Sequence, residues 1–300
     1  MPDDQKFLAD IQSDSADARF SAWRQAGEVS PSVIPQLGKL AASASPGVAK
    51  AAREALTTMT HSVGKDPAAP NRAAVVKGLL EVAGGGFALP ARVHALRLLS
   101  GIAGEDSVPA IARRIHDPDL REEAAYAIER IPGDASVKAL MAAYKEANDD
   151  FKPRILAALG HRRAPDAAGL CVEAMRSANK DIAVAGVKAF GRIGRKPASP
   201  PRLPDEKSLS EWQRIDTMDS MLRYADAQGR EGNAAEAMRI YRTALERPEP
   251  HWQCAAVIGL ARLASSEAAA AIFPKLKSDN RIVRITAEKA WKSMAVPAPG

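Results

Sequence analysis

Cysteine, histidine and aromatic residues are all scarce in these 300 residues, and each scarcity removes a class of function. The two cysteines, Cys171 and Cys254, cannot form a disulfide framework or a multi-cysteine metal site. Both sit in apolar helical segments, GLCVEAM and WQCAAVIGL, where a free thiol reads as core. The five histidines are His61, His94, His116, His161 and His251. No two stand at helical ligand spacing and no HExxH occurs, so no zinc or iron site is expected. No GxSxG or nucleophile–base arrangement is present either. The expectation is a protein with no catalytic residues, no metal and no cofactor, hence not an enzyme. No run of eighteen apolar residues exists, so no membrane span is expected. The N-terminus, MPDDQKFLAD, turns acidic at once, unlike a signal peptide. A cytoplasmic location follows as the expectation. Aromatics are 5% of the chain while hydrophobic residues reach 46%. The core must be built from small and aliphatic side chains, which suits closely packed helices.

What the sequence has is a recurring pattern. In HDPDLREEAAYAIERI (116–131), one imidazole and two carboxylates crowd the first four positions and resemble metal chemistry. Helix-end physics explains them better. Asp117 can accept bonds from free backbone N–H groups as an N-cap, Pro118 suits the first helical position, and Asp119 complements the positive helix end. His116 closes the preceding helix. Leu120, Ala124 and Ile128 then fall on one helical face.

The same apolar spacing, i, i+4 and i+8, starts at residues 18, 48, 91, 120, 151, 182, 252 and 283. Most steps are 29 to 31 residues; the exceptions are 43 and 70. The cognates include Val48-Ala52-Leu56, Ala91-Ala95-Leu99, Phe151-Ile155-Leu159, Ile182-Gly186-Phe190, Trp252-Ala256-Leu260 and Val283-Ala287-Trp291. Ala18-Ala22-Ala26 is the weakest. Ahead of most anchors lies a second helical segment, such as 32–43, 107–115, 136–147, 166–177 and 267–278. The unit is a helical hairpin, and one hairpin buries a single face, so stacked neighbours must complete the core.

DPDLREEAAYAI (117–128) and DNRIVRITAEKAW (279–291) resemble HEAT repeats, in the short form of about thirty residues found in phycobilisome lyase-type proteins. The resemblance covers most of the chain. It implies an all-α fold with no β-sheet: a right-handed α-solenoid of stacked hairpins, armadillo-like in architecture. The recurring basic residue beside the anchor (Arg19, Arg92, Arg121, Lys152, Arg284) is implied to bond between adjacent hairpins.

Two intervals depart from the register. The step of 43 holds HSVGKDPAAPN (61–71) and AGGGF (83–87). Three glycines suggest a phosphate cradle, but no GK[ST] follows, so a loose turn is expected. The step of 70 holds RKPASPPRLPDEK (195–207), whose prolines predict an irregular linker. In residues 208–250, Gly232, Ala237, Tyr241, Ala244 and Pro248 resemble a tetratricopeptide unit. The expected organisation is HEAT-like repeats over 1–194, a linker over 195–207, a tetratricopeptide-like hairpin over 208–248, HEAT-like repeats again over 249–295, and a disordered tail over 296–300.

Charge is uneven along the chain. Residues 101–150 carry a net −5 and residues 151–200 a net +7. Lys180, Lys188, Arg192 and Arg195 avoid the apolar face of their predicted helix, 180–195, and Lys152 and Arg154 occupy the helix one repeat earlier. In HEAT stacks the second helix of each hairpin lines the concave surface, so the resemblance implies a positive strip there. Those six residues are the candidate partner-binding set. The reading is a non-enzymatic scaffold that binds a protein partner, acidic in character, on its concave surface. Two alternatives also come from the resemblance. One is a nucleic-acid-binding protein related to DNA alkylation-repair glycosylases, with Trp212, Asp216 and Trp252 as its aromatic and carboxylate candidates. The acidic stretch 101–150 would repel phosphates. The other is a chromophore lyase.

Overall fold

A computed structural model describes residues 3–294, so the tail expected over 296–300 lies outside the described residues. Among the described residues there are seventeen α-helices and no strand. The chain divides into two compact units, Met1–Ala147 and Asn148–Gly300. The division falls inside the first HEAT-like stretch and not at the proline-rich linker.

The first unit contains α1 (Asp4–Gln12), α2 (Ala16–Arg24), α3 (Ile34–Leu40), α4 (Pro46–Gly64), α5 (Arg72–Gly84), α6 (Leu89–Ile102), α7 (Val108–Ala112), α8 (Arg121–Arg130) and α9 (Asp134–Glu146). They pair as hairpins, α1 with α2, α3 with α4, α5 with α6, and α7 with α8. The second members form one row, α2–α4–α6–α8, backed by the row α3–α5–α7–α9. The step of 43 comes from the length of α4 and the loop after it. The three glycines end α5 in a short turn, with Gly86 at φ +82°.

The second unit contains α10 (Lys152–His161), α11 (Ala168–Ala174), α12 (Lys180–Ile193), α13 (Glu211–Arg230), α14 (Ala234–Leu245), α15 (Pro250–Leu263), α16 (Ser266–Ile272) and α17 (Arg281–Met294). Here α10, α12, α13, α15 and α17 pack one on the next as a row. The helices α11, α14 and α16 back it.

The register is visible in the burial pattern. Every anchor side chain at i, i+4 and i+8 is buried except Ala18 and Trp291, the outermost positions of the first and last copies. Leu120, Ala124, Ile128, Ile155, Leu159, Ala256 and Leu260 are 0% exposed. Each fully buried Leu or Ile contributes about 1.5–3 kcal/mol of transfer free energy, so this stripe dominates the stability of each hairpin.

Two first helices, α3 and α7, are short and carry proline at their starts. Pro35 and Pro109 stand in the first turns of α3 and α7, and 3-10 turns precede both. α8 begins later than expected, at Arg121 with Leu120 as its N-cap and no side-chain cap, so Asp117, Pro118 and Asp119 form the turn ahead of it and Asp117 caps that turn instead of the helix. The Asp117 Oδ1 accepts the Asp119 N–H (3.1 Å), and its carbonyl accepts the N–H groups of Leu120 and Arg121 (3.0 and 2.8 Å). His116 ends a 3-10 turn and pairs with Glu146 at 3.6 Å.

Three of the five recurring basic residues act in two ways. Arg92 reaches the next hairpin, with Nη2 3.1 Å from Asp117 Oδ2. Arg19 and Arg284 instead donate to a carbonyl six residues earlier, Ser13 and Ser278, at 2.6 Å each. Arg19 also lies against the next hairpin, where a Cβ on Gly47 would meet its Nη2 at 2.7 Å. The Arg92 rung is testable by a double-mutant cycle of Arg92→Gln and Asp117→Asn. Asparagine keeps the cap and removes the charge. The expected coupling is about 0.5–1 kcal/mol, falling at high salt. Zero coupling in urea denaturation would remove the rung.

The interval of 70 contains an exchange. The row helices α12 and α13 lie parallel: Asp181 meets Gln213 at their starts and Gly194 meets Gln228 at their ends. The chain therefore has to travel back the length of a helix between them. In a regular repeat the first helix of a hairpin makes that return. Here residues 195–205 make it without helix, as their prolines require. Both ends of the linker are fastened. Gly194 adopts a left-handed conformation (φ +70°), and its carbonyl accepts Gln228 Nε2 at 2.6 Å. At the far end Glu206 takes both Nη atoms of Arg247, one at 2.9 Å. Arg247 lies over the Trp252 ring at 5.4 Å, and the indole donates to Asp219 Oδ1 at 3.0 Å.

Residues 208–248, expected as a tetratricopeptide-like unit, form the helical hairpin α13–α14, turned at Gly232 (φ +83°). Tyr241 of α14 is buried over Gly259 and donates to Asp226 Oδ1 at 2.6 Å. Burial and then the Asp226 carboxylate push its phenol well above the usual range.

Candidate functional site

The surface that the sequence reading singled out lies on the row α10–α12–α13. Three neighbouring helices leave a groove of about 270 Å³ between them. Small side chains make the space: Ala157 on α10, and Val184 and Ala185 on α12, line it with Pro153. The α10–α12 approach is close because Gly160 leaves no room for a Cβ, which would come within 2.8 Å of the Ala189 Cα. The α12–α13 approach is closer still at Gly191, where a Cβ would stand 2.3 Å from the Ser220 carbonyl oxygen.

The polar groups of the groove are largely matched. Lys188 Nζ sits 2.7 Å from Asp216 Oδ2. Asp181 Oδ1 accepts Gln213 Nε2 at 2.9 Å. Gln213 also completes the capping box of α13, its Oε1 accepting the Ser210 N–H at 3.0 Å. Arg192 lines the groove and has no side-chain hydrogen bond or ion pair among the described residues. Trp212 stands one turn before Asp216 on the same face of α13 and is 78% exposed.

The structure breaks up the predicted strip. Lys188 and Arg192 share the groove. Arg195 does not continue the helix: α12 stops at Ile193, because Gly194 adopts the left-handed cap that ends helices. Arg195 instead lines a separate cleft with Lys196, Glu231 and Asn233. Lys180, at the first residue of α12, donates to the Ser208 carbonyl at the end of the linker. Lys152 pairs with Asp149 at 2.8 Å, and Arg154 is half-buried on the same turn of α10. The groove residues Asp181, Gln213 and Asp216 were absent from the predicted partner-binding set, as was the exposed Trp212 beside them on α13.

The aromatic and carboxylate candidates for base excision do not converge on a pocket. Trp212 is on the surface, Trp252 is 2% exposed and bound to Asp219, and Asp216 is held by Lys188. Cys171 is 0% exposed, and burial pushes its thiol up to about 12, which keeps it protonated and unreactive. Among the described residues, no three His, Cys, Asp or Glu side chains are grouped to hold a metal ion. Among them too, no helix is long and apolar enough to cross a membrane.

No family model and no curated protein matches the chain. Solved structures do. A chain from the complex of Kap95p with RanGDP is 13% identical with a TM-score of 0.50, over 96% of this chain and 42% of that one. An engineered protein is 17% identical with a TM-score of 0.45, over 98% and 89%. Human deoxyhypusine hydroxylase in complex with glycerol is 18% identical with a TM-score of 0.39, over 73% and 95%. The first of these likenesses is one of fold. The chain spans less than half the length of that protein. The fold is an all-helical solenoid of stacked hairpins.

Proposed function

We propose that this protein is a non-catalytic HEAT-repeat scaffold, working in the cytoplasm, that seats a protein partner on the α10–α12–α13 face. The observation that carries the reading is an exposed indole on α13, one turn before the groove residue Asp216, on a face whose groove is lined by an unpaired guanidinium. Trp212 is 78% exposed, and Arg192 faces the groove without an ion pair among the described residues. Tryptophan and arginine are the side chains that most often dominate protein interfaces. Arg192 calls for a carboxylate, so the partner is acidic at the contact. The solved complex that shares this fold is named for Kap95p binding RanGDP, which supports the use of such a stack to hold a protein.

Site-specific cross-linking tests this. A photoreactive phenylalanine analogue at position 212 is expected to capture a protein, whereas the same analogue at the exposed Thr243 of α14 captures none. Arg192→Glu should abolish the adduct at 212. Equal capture at both positions, or capture indifferent to Arg192→Glu, would sink the proposal. A nuclease-sensitive adduct would transfer the surface to nucleic acid.

A further inference from the structure

Where the linker passes the turn between α11 and α12 it closes a second cavity, about 370 Å³ in volume. Its floor is apolar. Met175 and Ala183 lie there, 2% and 1% exposed, and Leu203 and Pro204 of the linker form the facing wall. Its rim is cationic, with Arg176, Lys180 and Arg202 around one opening. The single carboxylate on that rim, Asp205, accepts the Lys207 N–H at 3.2 Å. Lys180 is engaged with the Ser208 carbonyl. Arg176 and Arg202 have no side-chain hydrogen bond or ion pair among the described residues.

Like charges gathered at one opening repel one another, and an anion placed between them reverses the sign of that interaction. Guanidinium groups take carboxylates through paired N–H bonds. At the start of α12 the N–H groups of Asp181 and Ile182 already bond to Asn179 Oδ1 and that of Ala183 to the Asn179 carbonyl. The two guanidinium groups are thus the main holders of an anion here, and the apolar floor adds a requirement that a bare ion does not meet. We propose that this cavity binds a short apolar chain ending in a carboxylate. The chain lies against Met175, Ala183 and Leu203, and the carboxylate lies between Arg176 and Arg202. The volume sits at the small end of ligand sites, which suits a short chain. The site exists because the linker replaces a helix: Leu203, Pro204 and Arg202 come from the replacing segment. The inference stands apart from the α10–α12–α13 groove and shares no residue with it.

A free short-chain acid and the C-terminus of a peptide with an apolar last residue offer the same chemistry. Amide NMR and calorimetric titration of the full chain would use hexanoate, hexanol, inorganic phosphate, and a leucine-terminated peptide with a free or amidated end. Hexanoate is expected to shift amides within 175–183 and 202–208. Arg176→Glu and Arg202→Glu should each weaken it at least tenfold, and Arg223→Glu, on the exposed side of α13, should not. If the free-ended peptide binds more tightly than hexanoate and its amide is silent, the site belongs to a chain terminus. The opposite order assigns it to a free acid. Hexanol or phosphate binding as well as hexanoate would overturn the proposal, as would wild-type binding by Arg202→Glu.

Discussion

Truncating Phe190 to alanine is expected to cost about 3–5 kcal/mol of folding free energy. Phe190 is 0% exposed and holds the i+8 position of its repeat. Its ring lies 4.5 Å from that of Tyr224, tilted by 38°, so it is the aromatic contact between α12 and α13. The lost transfer energy and the cavity left behind both count. Urea denaturation followed by tryptophan fluorescence measures it, with buried Trp252 reporting on the same unit. The two compact units call for a fit with more than one transition. A loss below about 1 kcal/mol would mean that the α12–α13 contact is not packed like a core.

The neighbouring residue tests the same contact with the opposite change in volume. Gly191→Ala is expected to destabilise by about 1–3 kcal/mol. Helix propensity alone predicts the reverse sign, since alanine is better than glycine inside a helix by about 1 kcal/mol. Packing wins here because the added methyl would meet backbone: Ser220 O at 2.3 Å, C at 2.9 Å and Cα at 3.0 Å. Backbone cannot rotate away as a side chain can. Gly101, in α6, is the control, because a Cβ there meets nothing within 4 Å. Gly101→Ala should stabilise by about 0.5–1 kcal/mol. If both substitutions stabilise, the helices are further apart than the structure places them.

The clasp on the linker gives a weaker, pH-dependent effect. The Arg247 hydrogen bonds hold the Glu206 carboxyl below its usual range. A lowered folded-state value means that the stabilisation is complete above the unfolded value, near 4.5, and is lost as pH falls through the folded value. Glu206 is half-exposed, so the pair is worth about 0.2–1 kcal/mol. Stability of Glu206→Gln should be flatter with pH below 4.5 than that of the wild type, and superimposable profiles would remove the clasp.

Much of the fold was legible because a solenoid repeats one local rule. The spacing i, i+4, i+8 located the row helices α2, α4, α6, α8, α10, α12, α15 and α17. Two helices escaped. The helix α1 buries only Phe7 and Ile11 within an acidic segment, and α5 is rich in alanine, valine and glycine without a clear polar face. The strip was less legible for a physical reason. A helical wheel shows which side of one helix a charge occupies, but its partner comes from the next helix. Lys188 and Asp216 are 28 residues apart, Arg92 and Asp117 are 25, and Arg97 and Glu123 are 26. Those separations are close to one repeat. Looking one repeat ahead of each charge would have found the pairings, including Asp216 in the groove.

The return segment between α12 and α13 has a consequence for how the chain can be cut and joined. Two parallel helices held by Phe190 on Tyr224, by Lys188 on Asp216 and by the close approach at Gly191 do not need the peptide that links them in order to stay together. Ser199 is exposed in that peptide, away from both fastened ends. Severing the backbone there would leave two fragments that remain docked, each keeping its own helices. A foreign sequence spliced in at the same point would be carried as a loop at little energetic cost, since loop closure grows only slowly with length. The molecule thus has a built-in place for complementation by two unequal fragments.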